Sequence, residues 1–231
     1  MAYSDYRRLA RENLQGNWGL SMGAAAIAWL LGGILIGNTF IPQFNFHYRG
    51  LEVTLEEWIN LTLTVSRTFR NSTISFNLLG LAQFIIGGVI QLGYAQYLLK
   101  QHNRANFEIQ DLFTQFDRFK DGFLQKFLRS LYVFLWSLLF IIPGIIKSYA
   151  YAMTPFIMAE NPDMTVSEAI EASKQLMDGH KSDLFVLNLT FIGWDLLAVL
   201  TLNIGHIALN PYKNAAHAAF YKDLTSLKVD Y

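Results

Sequence analysis

Residues 131–163 read LYVFLWSLLFIIPGIIKSYAYAMTPFIMAENPD, an apolar run too long for one strand or one soluble helix. Lys147 is the only charged residue before the final ENPD. Pro143 and Gly144 interrupt the run near its middle, and adjacent proline and glycine are typical of a turn. The stretch therefore predicts two membrane helices joined by a tight turn, and a chain that crosses the membrane several times.

The composition supports the same class of protein. The chain has 231 residues, of which 52% are apolar and 16% are charged, whereas soluble domains average about 25% charged residues. The formal net charge is zero, so there is no electrostatic basis for binding nucleic acid. Cysteine is absent, which excludes disulfide bonds and thiolate metal sites.

Four segments carry a family resemblance. They read ARENLQGNW (residues 10–18), IIPGIIKSYAYAMTPFIMAENPD, SEAIEASKQLMDGHKSDLFVLNLTFIGW and NPYKNAAHAAFYKDL (residues 210–224). Together they resemble the bacterial integral membrane family labelled domain of unknown function 975. The resemblance implies a bacterial plasma-membrane protein with several helices, and it implies no particular activity.

We predict one all-α domain, a polytopic membrane helix bundle of about six transmembrane helices with amphipathic interfacial helices. The predicted spans are residues 18–40, 74–99, 128–142, 145–159, 184–202 and 205–221. The outer loop is 41–73, and the inner segments are 1–17, 100–127, 160–183 and 222–231. Lys and Arg are concentrated in the inner segments, which places both termini in the cytoplasm. If 131–158 formed a single broken span, the C-terminal tail would instead lie outside.

Three segments predict amphipathic helices outside the spans. Within 107–127, Phe recurs at steps of three and four residues beside Lys and Arg, a pattern typical of a helix in the lipid headgroup layer. A capping-box pattern at Thr54 predicts a helix over 55–69 in the outer loop. A second capping box, at Thr165 and Glu168, predicts a helix over 166–177.

Polar residues cluster in the last two predicted spans. Charged side chains inside a membrane mark functional sites by default, because their insertion is costly. The candidate intramembrane polar site consists of Asp195, His206, Asn210, Lys213, Asn214 and His217. In a hairpin turning near Asn203, Asp195 and Lys213 have similar depths and can face each other. The residues either line a pathway for a proton, ion or small solute, or form a structural ion pair with histidines near the interfaces.

Small and amide residues predict where the helices pack. Small residues four apart let helix backbones approach, and buried amides can form hydrogen bonds between helices. The predicted packing residues are Gly19, Gly23, Gly33, Gly37, Gln83 and Gln91. The predicted hinges are Pro143, Gly144, Pro155 and Pro211. Close small-residue packing is compatible with a bundle within one chain and with a homo-oligomer.

No catalytic motif is present: the chain has no HExxH, GxSxG, Walker or GxGxxG pattern. His206 and His217 are about 16 Å apart along an ideal helix, too far to share a metal ion. We therefore predict no enzyme activity, no cofactor and no metal. The predicted role is that of a structural, regulatory or partner-binding membrane protein. The expected partners are the lipid bilayer and another membrane protein or a second copy of the chain. The alternative is a small-solute, ion or proton-coupled transporter that uses the polar residues of the last two spans.

Overall fold

The computed structural model describes residues 2–33, 78–139, 141–200 and 205–229. These residues contain ten α-helices and two 3-10 turns. The helices are α1 (Tyr3–Leu14), α2 (Trp18–Leu30), α3 (Leu78–His102), α4 (Phe119–Leu139), α5 (Ile141–Ala150), α6 (Thr154–Glu160), α7 (Val166–Leu176), α8 (Lys181–Leu189), α9 (Ile192–Leu200) and α10 (His206–Val229). The 3-10 turns, Ile109–Phe113 and Phe116–Arg118, lie between α3 and α4.

The predicted all-α class is confirmed, because the described residues contain helices and no strand. Among these same residues, no helix combines the length and the apolar character needed to cross a bilayer. The predicted number of spans and their orientation therefore remain predictions. The predicted outer-loop helix over 55–69 lies outside the described residues.

The helix at the centre of the packing is α3, and not the apolar stretch that dominates the sequence. It contacts α1, α2, α4, α6 and α10, and also both 3-10 turns. All its residues from 87 to 95 are buried. A helix that is buried on every side must accept close neighbours around its whole circumference.

Glycines of α3 allow these close approaches. A Cβ added at Gly88 would overlap the carbonyl group of Gly122 in α4, and one added at Gly122 would lie 2.6 Å from Val89 Cγ2. A Cβ added at Gly87 would likewise overlap the backbone of the turn after α2, and one added at Gly93 would overlap the backbone of the first 3-10 turn. Backbone therefore lies directly against backbone where α3 and α4 cross.

The helices α4 and α5 form the hairpin predicted from the apolar stretch. The rings of Tyr132 and Tyr151 are 6.0 Å apart, and Lys147 Nζ lies 4.7 Å from the centre of the Trp136 ring. These pairs can meet only if the chain reverses between α4 and α5. The cation over the indole face adds an electrostatic attraction to the packing of the two helices.

The reversal does not occur at the predicted hinge. Pro143 lies in the first turn of α5, where a missing backbone N–H costs no helical hydrogen bond. Gly144 lies against Ser137 of α4, and a Cβ there would overlap the serine side chain. These two residues therefore let the helices of the hairpin approach each other and do not form its turn.

Two predicted spans are each divided into two helices. The first division lies between α5 and α6, where Pro155 occupies the first turn of α6. In a continuous helix its ring would clash with the carbonyl group four residues earlier, so the helix is interrupted before it. Between α8 and α9, the Thr190 hydroxyl donates to the Leu187 carbonyl at 2.7 Å, and the buried Phe191 turns inward. By contrast, Pro211 lies inside the single helix α10.

The segment 107–127, predicted to be one amphipathic helix, is not a continuous helix in the structure. Its first part forms the two 3-10 turns, and α4 begins at Phe119 and continues through the predicted membrane boundary. The Asp111 side chain accepts from the Glu108 backbone N–H at 2.9 Å and from Lys100 Nζ at 2.6 Å. These bonds fix a turn at Asp111, because a capping carboxylate starts a new helical turn at its partner.

The capping box at Thr165 and Glu168 is confirmed. The Thr165 backbone N–H donates to Glu168 Oε2 at 2.8 Å, and the Glu168 N–H donates to Thr165 Oγ1 at 3.4 Å. The helix it starts, α7, is followed by Gly179 at a φ of 79°. Such a left-handed glycine is a common helix stop, because no Cβ opposes it.

The helix α2 is shorter than the predicted span of residues 18–40. It ends at Leu30, and Gly32 adopts a φ of 77° just beyond it. Gln83 Nε2 donates to the Leu30 carbonyl at 2.8 Å, and Lys126 Nζ donates to the Gly32 carbonyl at 2.9 Å. A cation and an amide thus satisfy the free carbonyl groups at the end of this helix.

Candidate functional site

The structure brings Asp195 of α9 and Lys213 of α10 together. Lys213 Nζ donates to the two carboxylate oxygens of Asp195 at 3.0 and 2.9 Å. The two side chains are 31% and 21% exposed, so the pair is neither fully buried nor fully hydrated. Lys213 Nζ also lies 6.0 Å from the centre of the Phe191 ring.

His206 joins this pair at the start of α10. Its Nε2 lies 3.6 Å from Asp195 Oδ1, so a protonated His206 and Lys213 would both act on one carboxylate. Asp195 is surrounded along α9 by exposed apolar side chains, among them Trp194 and Leu196. Two bases and one acid in such surroundings can exchange a proton, or can serve as a purely structural charge pair.

The remaining predicted polar residues do not join the Asp195 group. Asn214 Nδ2 donates to the Tyr94 hydroxyl of α3 at 3.2 Å. His217 Nε2 lies 2.7 Å from Asn188 Oδ1 of α8, while its buried Nδ1 has no partner among the described residues. Asn210 is partly exposed on α10. The predicted stripe is therefore divided among contacts to three different helices.

Sequence reasoning missed two members of these contacts. Asn188 lies between His217 and the Tyr149 hydroxyl, which it contacts at 2.7 and 3.5 Å respectively. Tyr94 is the partner of Asn214. Asn188 is an isolated amide in the apolar run LFVLNLTF, a signal that could have been found. The role of Tyr94 depends on how α3 meets α10, which no local pattern reveals.

Some of the predicted packing residues make close contacts and some do not. Gly33 lies against Ile90, with an added Cβ only 2.5 Å from Ile90 Cγ2. Gly23 makes an ordinary contact, since an added Cβ would be 3.7 Å from Ile109, and a Cβ at Gly19 would meet nothing within 4 Å. Gly37 lies outside the described residues.

The two predicted packing glutamines, Gln83 and Gln91, face different neighbours. Gln83 bonds to the end of α2, as described above, and Gln91 Oε1 accepts from Gln125 Nε2 at 2.9 Å and from Arg129 Nη2 at 3.3 Å. Lys126, whose Nζ bonds to the end of α2, lies in the same helix as Gln125 and Arg129. Burial, helped by the charge of Arg129, lowers the pKa of Lys126 to about 8.

A second group of polar contacts holds α1, α6, α8 and α10 together. The Tyr221 hydroxyl donates to Glu160 Oε2 at 2.7 Å, and the Tyr6 hydroxyl bonds to Asp223. The Tyr3 hydroxyl donates to Asp183 Oδ1 at 3.2 Å. Burial and the bond to Asp223 raise the pKa of Tyr6. Tyrosine hydroxyls thus join the N-terminal helix α1 to α8 and α10, and join α10 to α6.

A polar cavity opens between the ends of α1 and α3. Its volume is about 490 Å³. Five side-chain amides line it, those of Asn13, Gln15, Asn17, Gln101 and Asn106. Glu12, Arg104 and Glu108 add charges of both signs. No motif in the sequence pointed to this cavity, because its lining comes from two helix ends that are far apart in the chain.

The described residues contain no group of three or more His, Cys, Asp or Glu side chains placed to hold a metal ion.

A family model matches part of the chain: the family described as Protein of unknown function (DUF975) matches residues 138–228, which supports the family resemblance. Neither a curated protein nor a solved structure matches the chain significantly. The match covers the end of α4, the helices α5 to α9 and α10 up to residue 228, and therefore includes the Asp195 group.

Proposed function

We propose that this chain is a polytopic membrane protein of the bacterial plasma membrane, with both termini in the cytoplasm and a non-enzymatic structural, regulatory or partner-binding role. The observation that carries the proposal is a set of exposed apolar side chains on the α4–α5 hairpin. Phe134, Leu138 and Ile142 are 63%, 74% and 71% exposed. Soluble monomers rarely expose contiguous apolar patches larger than a few hundred Å².

The neighbouring helices extend this apolar surface. α8 contacts α5, and the Phe185 ring meets that of Tyr149 edge-on at 6.0 Å. In α9, Leu196 and Leu197 are more than half exposed. Residues 184–205 contain one charged residue, Asp195, which is paired. A surface of this kind suits lipid chains, because it offers them no unpaired charge to bury.

Two other helices have the opposite character. On α1 and α7, the exposed positions carry charged side chains such as Arg8, Glu12, Glu168 and Glu171. Lys and Arg are concentrated in the segments that we assign to the cytoplasm, as the positive-inside rule requires. Apolar exposure on α4, α5, α8 and α9 and charged exposure on α1 and α7 support insertion of the α4–α5 and α8–α9 helices into the bilayer.

The first test asks whether the protein is embedded and how it is oriented. Membranes from expressing cells are washed with alkaline carbonate, and an embedded protein stays in the pellet. Because the chain has no cysteine, the single variants Ser4→Cys, Glu57→Cys, Asp117→Cys and Ser226→Cys report topology without background. In intact cells, an impermeant thiol reagent should label Glu57→Cys alone. Labelling of Ser226→Cys would contradict the six-span arrangement, and release by carbonate would contradict the membrane proposal.

A second candidate function is transport of a proton, ion or small solute. The observation that favours it is the partly exposed group of Asp195, Lys213 and His206 between apolar helices. Purified protein in liposomes that enclose a pH-sensitive dye provides the test. Flux that is lost in Asp195→Asn would favour transport. Equal dye traces for wild-type, Asp195→Asn and empty liposomes would favour the structural role.

A further inference from the structure

We propose that the polar cavity between the ends of α1 and α3 binds a neutral monosaccharide through its side-chain amides. Every residue of the lining comes from α1, α3 or the segments that directly follow them. The inference goes beyond the proposed function and does not depend on the membrane location. In the proposed topology these residues belong to the inner segments 1–17 and 100–127, so the sugar would enter the cavity from the cytoplasm.

One amide of the lining is buried and has an end without a partner. Gln101 is 2% exposed, and its Nε2 donates to the Ser21 hydroxyl at 2.7 Å. Its Oε1 has no hydrogen-bond partner among the described residues. A buried amide end without a partner is costly, so a ligand group that bonds to it is bound favourably. A sugar hydroxyl can donate or accept, and it therefore satisfies this end in either orientation of the amide.

Hydrogen bonds between side chains hold the walls of the cavity in place. The buried hydroxyls of Ser21 and Tyr97 lie 3.1 Å apart, so the Ser21 hydroxyl that supports Gln101 is itself fixed. On the other wall, Asn13 Nδ2 of α1 lies 3.3 Å from His102 Nδ1 of α3. These amides are thus positioned before a ligand binds, which lowers the entropy cost of binding.

The turn after α3 adds an arginine and an aromatic ring to the lining. Arg104 has a φ of 54°, in the left-handed region that favours glycine. Residues other than glycine in this conformation cluster at ligand-binding sites. The Phe107 ring lies at 85° to the buried Tyr97 ring, with the two ring centres 5.2 Å apart. Because the face of an aromatic ring is negative, Phe107 can pack against the C–H groups of a sugar ring.

The size and charge of the cavity favour a neutral sugar over an ion or a lipid. Its volume of about 490 Å³ lies within the range of about 300–1,000 Å³ of small-molecule sites. Glu12 is 3.7 Å from Arg8, and the charges of Arg104 and Glu108 are opposite. The described lining therefore has no excess charge to attract an ion. Apart from Ala105 and Phe107 the lining is polar, so it offers little surface to an acyl chain.

The test is saturation-transfer NMR on the full-length protein, with glucose, galactose and mannose as probes. The protein is purified in a zwitterionic detergent, because a detergent with a sugar headgroup would compete for the cavity. Glucosamine and glucuronate are compared with glucose, since they add a positive or a negative charge to the same ring. We expect a saturable signal from a neutral sugar and weaker signals from both charged ones, because the cavity has no net charge to offset their desolvation.

Variants of the lining show whether the signal comes from this cavity. Gln101→Leu removes the unpartnered amide at similar side-chain volume and should weaken binding about tenfold, by the loss of a buried hydrogen bond. Asn106→Ala, at an exposed position of the lining, should weaken binding about threefold. Asn103→Ala is the matched control, because Asn103 is exposed in the same turn but does not line the cavity. It should bind the sugar as the wild type does.

The remaining outcomes would overturn the proposal. Absence of a signal from all three neutral sugars would show that the cavity holds water alone. A stronger signal from glucosamine or glucuronate would show that the ligand is charged. Equal affinity of Gln101→Leu, Asn106→Ala and the wild type would place the sugar elsewhere. Should Gln101→Leu fail to fold, the comparison of Asn106→Ala with Asn103→Ala decides.

The carbonate wash keeps this inference separate from the membrane proposal. A protein that is released by carbonate and still binds the sugar through Gln101 would overturn the membrane proposal and leave the sugar site standing. A protein that stays in the washed membrane and binds no sugar would have the opposite meaning.

Discussion

The α3–α4 crossing and the α9–α10 contact hold helices together in different ways. At the crossing, backbone meets backbone at Gly88 and Gly122, and neutral amides complete the contact. In the α9–α10 contact, the link is a partly exposed ion pair between Asp195 and Lys213. At the crossing, the two backbones in contact cannot adjust to a larger residue. In the ion pair, the two flexible side chains can adjust their positions.

The largest expected effect is at the crossing. Gly88→Ala adds a Cβ that overlaps the Gly122 carbonyl group, and neither backbone can yield without moving a helix. We expect a loss of about 3 kcal/mol in the free energy of unfolding, at the upper end of the usual cost of overpacking. Chemical unfolding in detergent measures it.

Gly80→Ala is the control in the same helix, because an added Cβ there would meet nothing within 4 Å. It should be neutral or slightly stabilising, since alanine favours helix more than glycine does. If both variants lose the same stability, the close approach at Gly88 is not what holds α3 and α4 together.

The next effect is at the ion pair. Asp195→Leu or Lys213→Leu leaves one charge without its partner, and each should cost about 2 kcal/mol, less than for a fully buried pair because both side chains are partly exposed. The double variant should recover much of the loss, since no lone charge remains. Thermal unfolding of the three variants provides the comparison, and strictly additive losses would show that the two residues do not interact.

A smaller effect is expected where amides complete the crossing. Gln91→Leu removes the acceptor of Gln125 Nε2 and of Arg129 Nη2. The loss of stability should be about 1.5 kcal/mol, the usual cost of leaving a buried donor without a partner. Gln110→Leu, at an exposed position, is the control and should change stability little. A Gln91 variant as stable as its control would mean that glycine packing alone maintains the crossing.

The smallest effect is at an exposed cap remote from both contacts. Hydrogen bonds from Thr165 lower the pKa of Glu168 below its ordinary value of 4.5. Between the folded-state pKa and pH 4.5, the Glu168 side chain binds protons more readily in the unfolded chain than in the folded one. The stability that these hydrogen bonds contribute is therefore present above pH 4.5 and is lost as the pH falls through the folded-state pKa. Wild type should exceed Glu168→Gln in unfolding temperature at pH 7, and the gap should narrow as the pH falls below 4.5. A gap that does not change with pH would show that the ionised carboxylate is not responsible.

The features that sequence predicted best are local. The capping box at Thr165 starts α7 because both partners lie within four residues of each other. Pro155 divided a predicted span because a proline acts on its own helix. The contact between Asp195 and Lys213 followed from equal distances to a turn between adjacent helices.

The features that sequence missed join distant segments. Gly88 and Gly122 look like any helical glycines until α3 and α4 cross. Asn188 and Tyr94 became partners of the polar residues on α10 only through packing.

By itself, the sequence determined that the chain is helical, apolar and poor in charge, because these properties depend on composition and on neighbours a few residues apart. Only the tertiary structure decided that α3 is central and which polar groups share a contact. The physical reason is that a helix fixes which residues share a face, but not which face meets which neighbour. That choice depends on close approach between backbones and on pairing of polar groups across the whole chain.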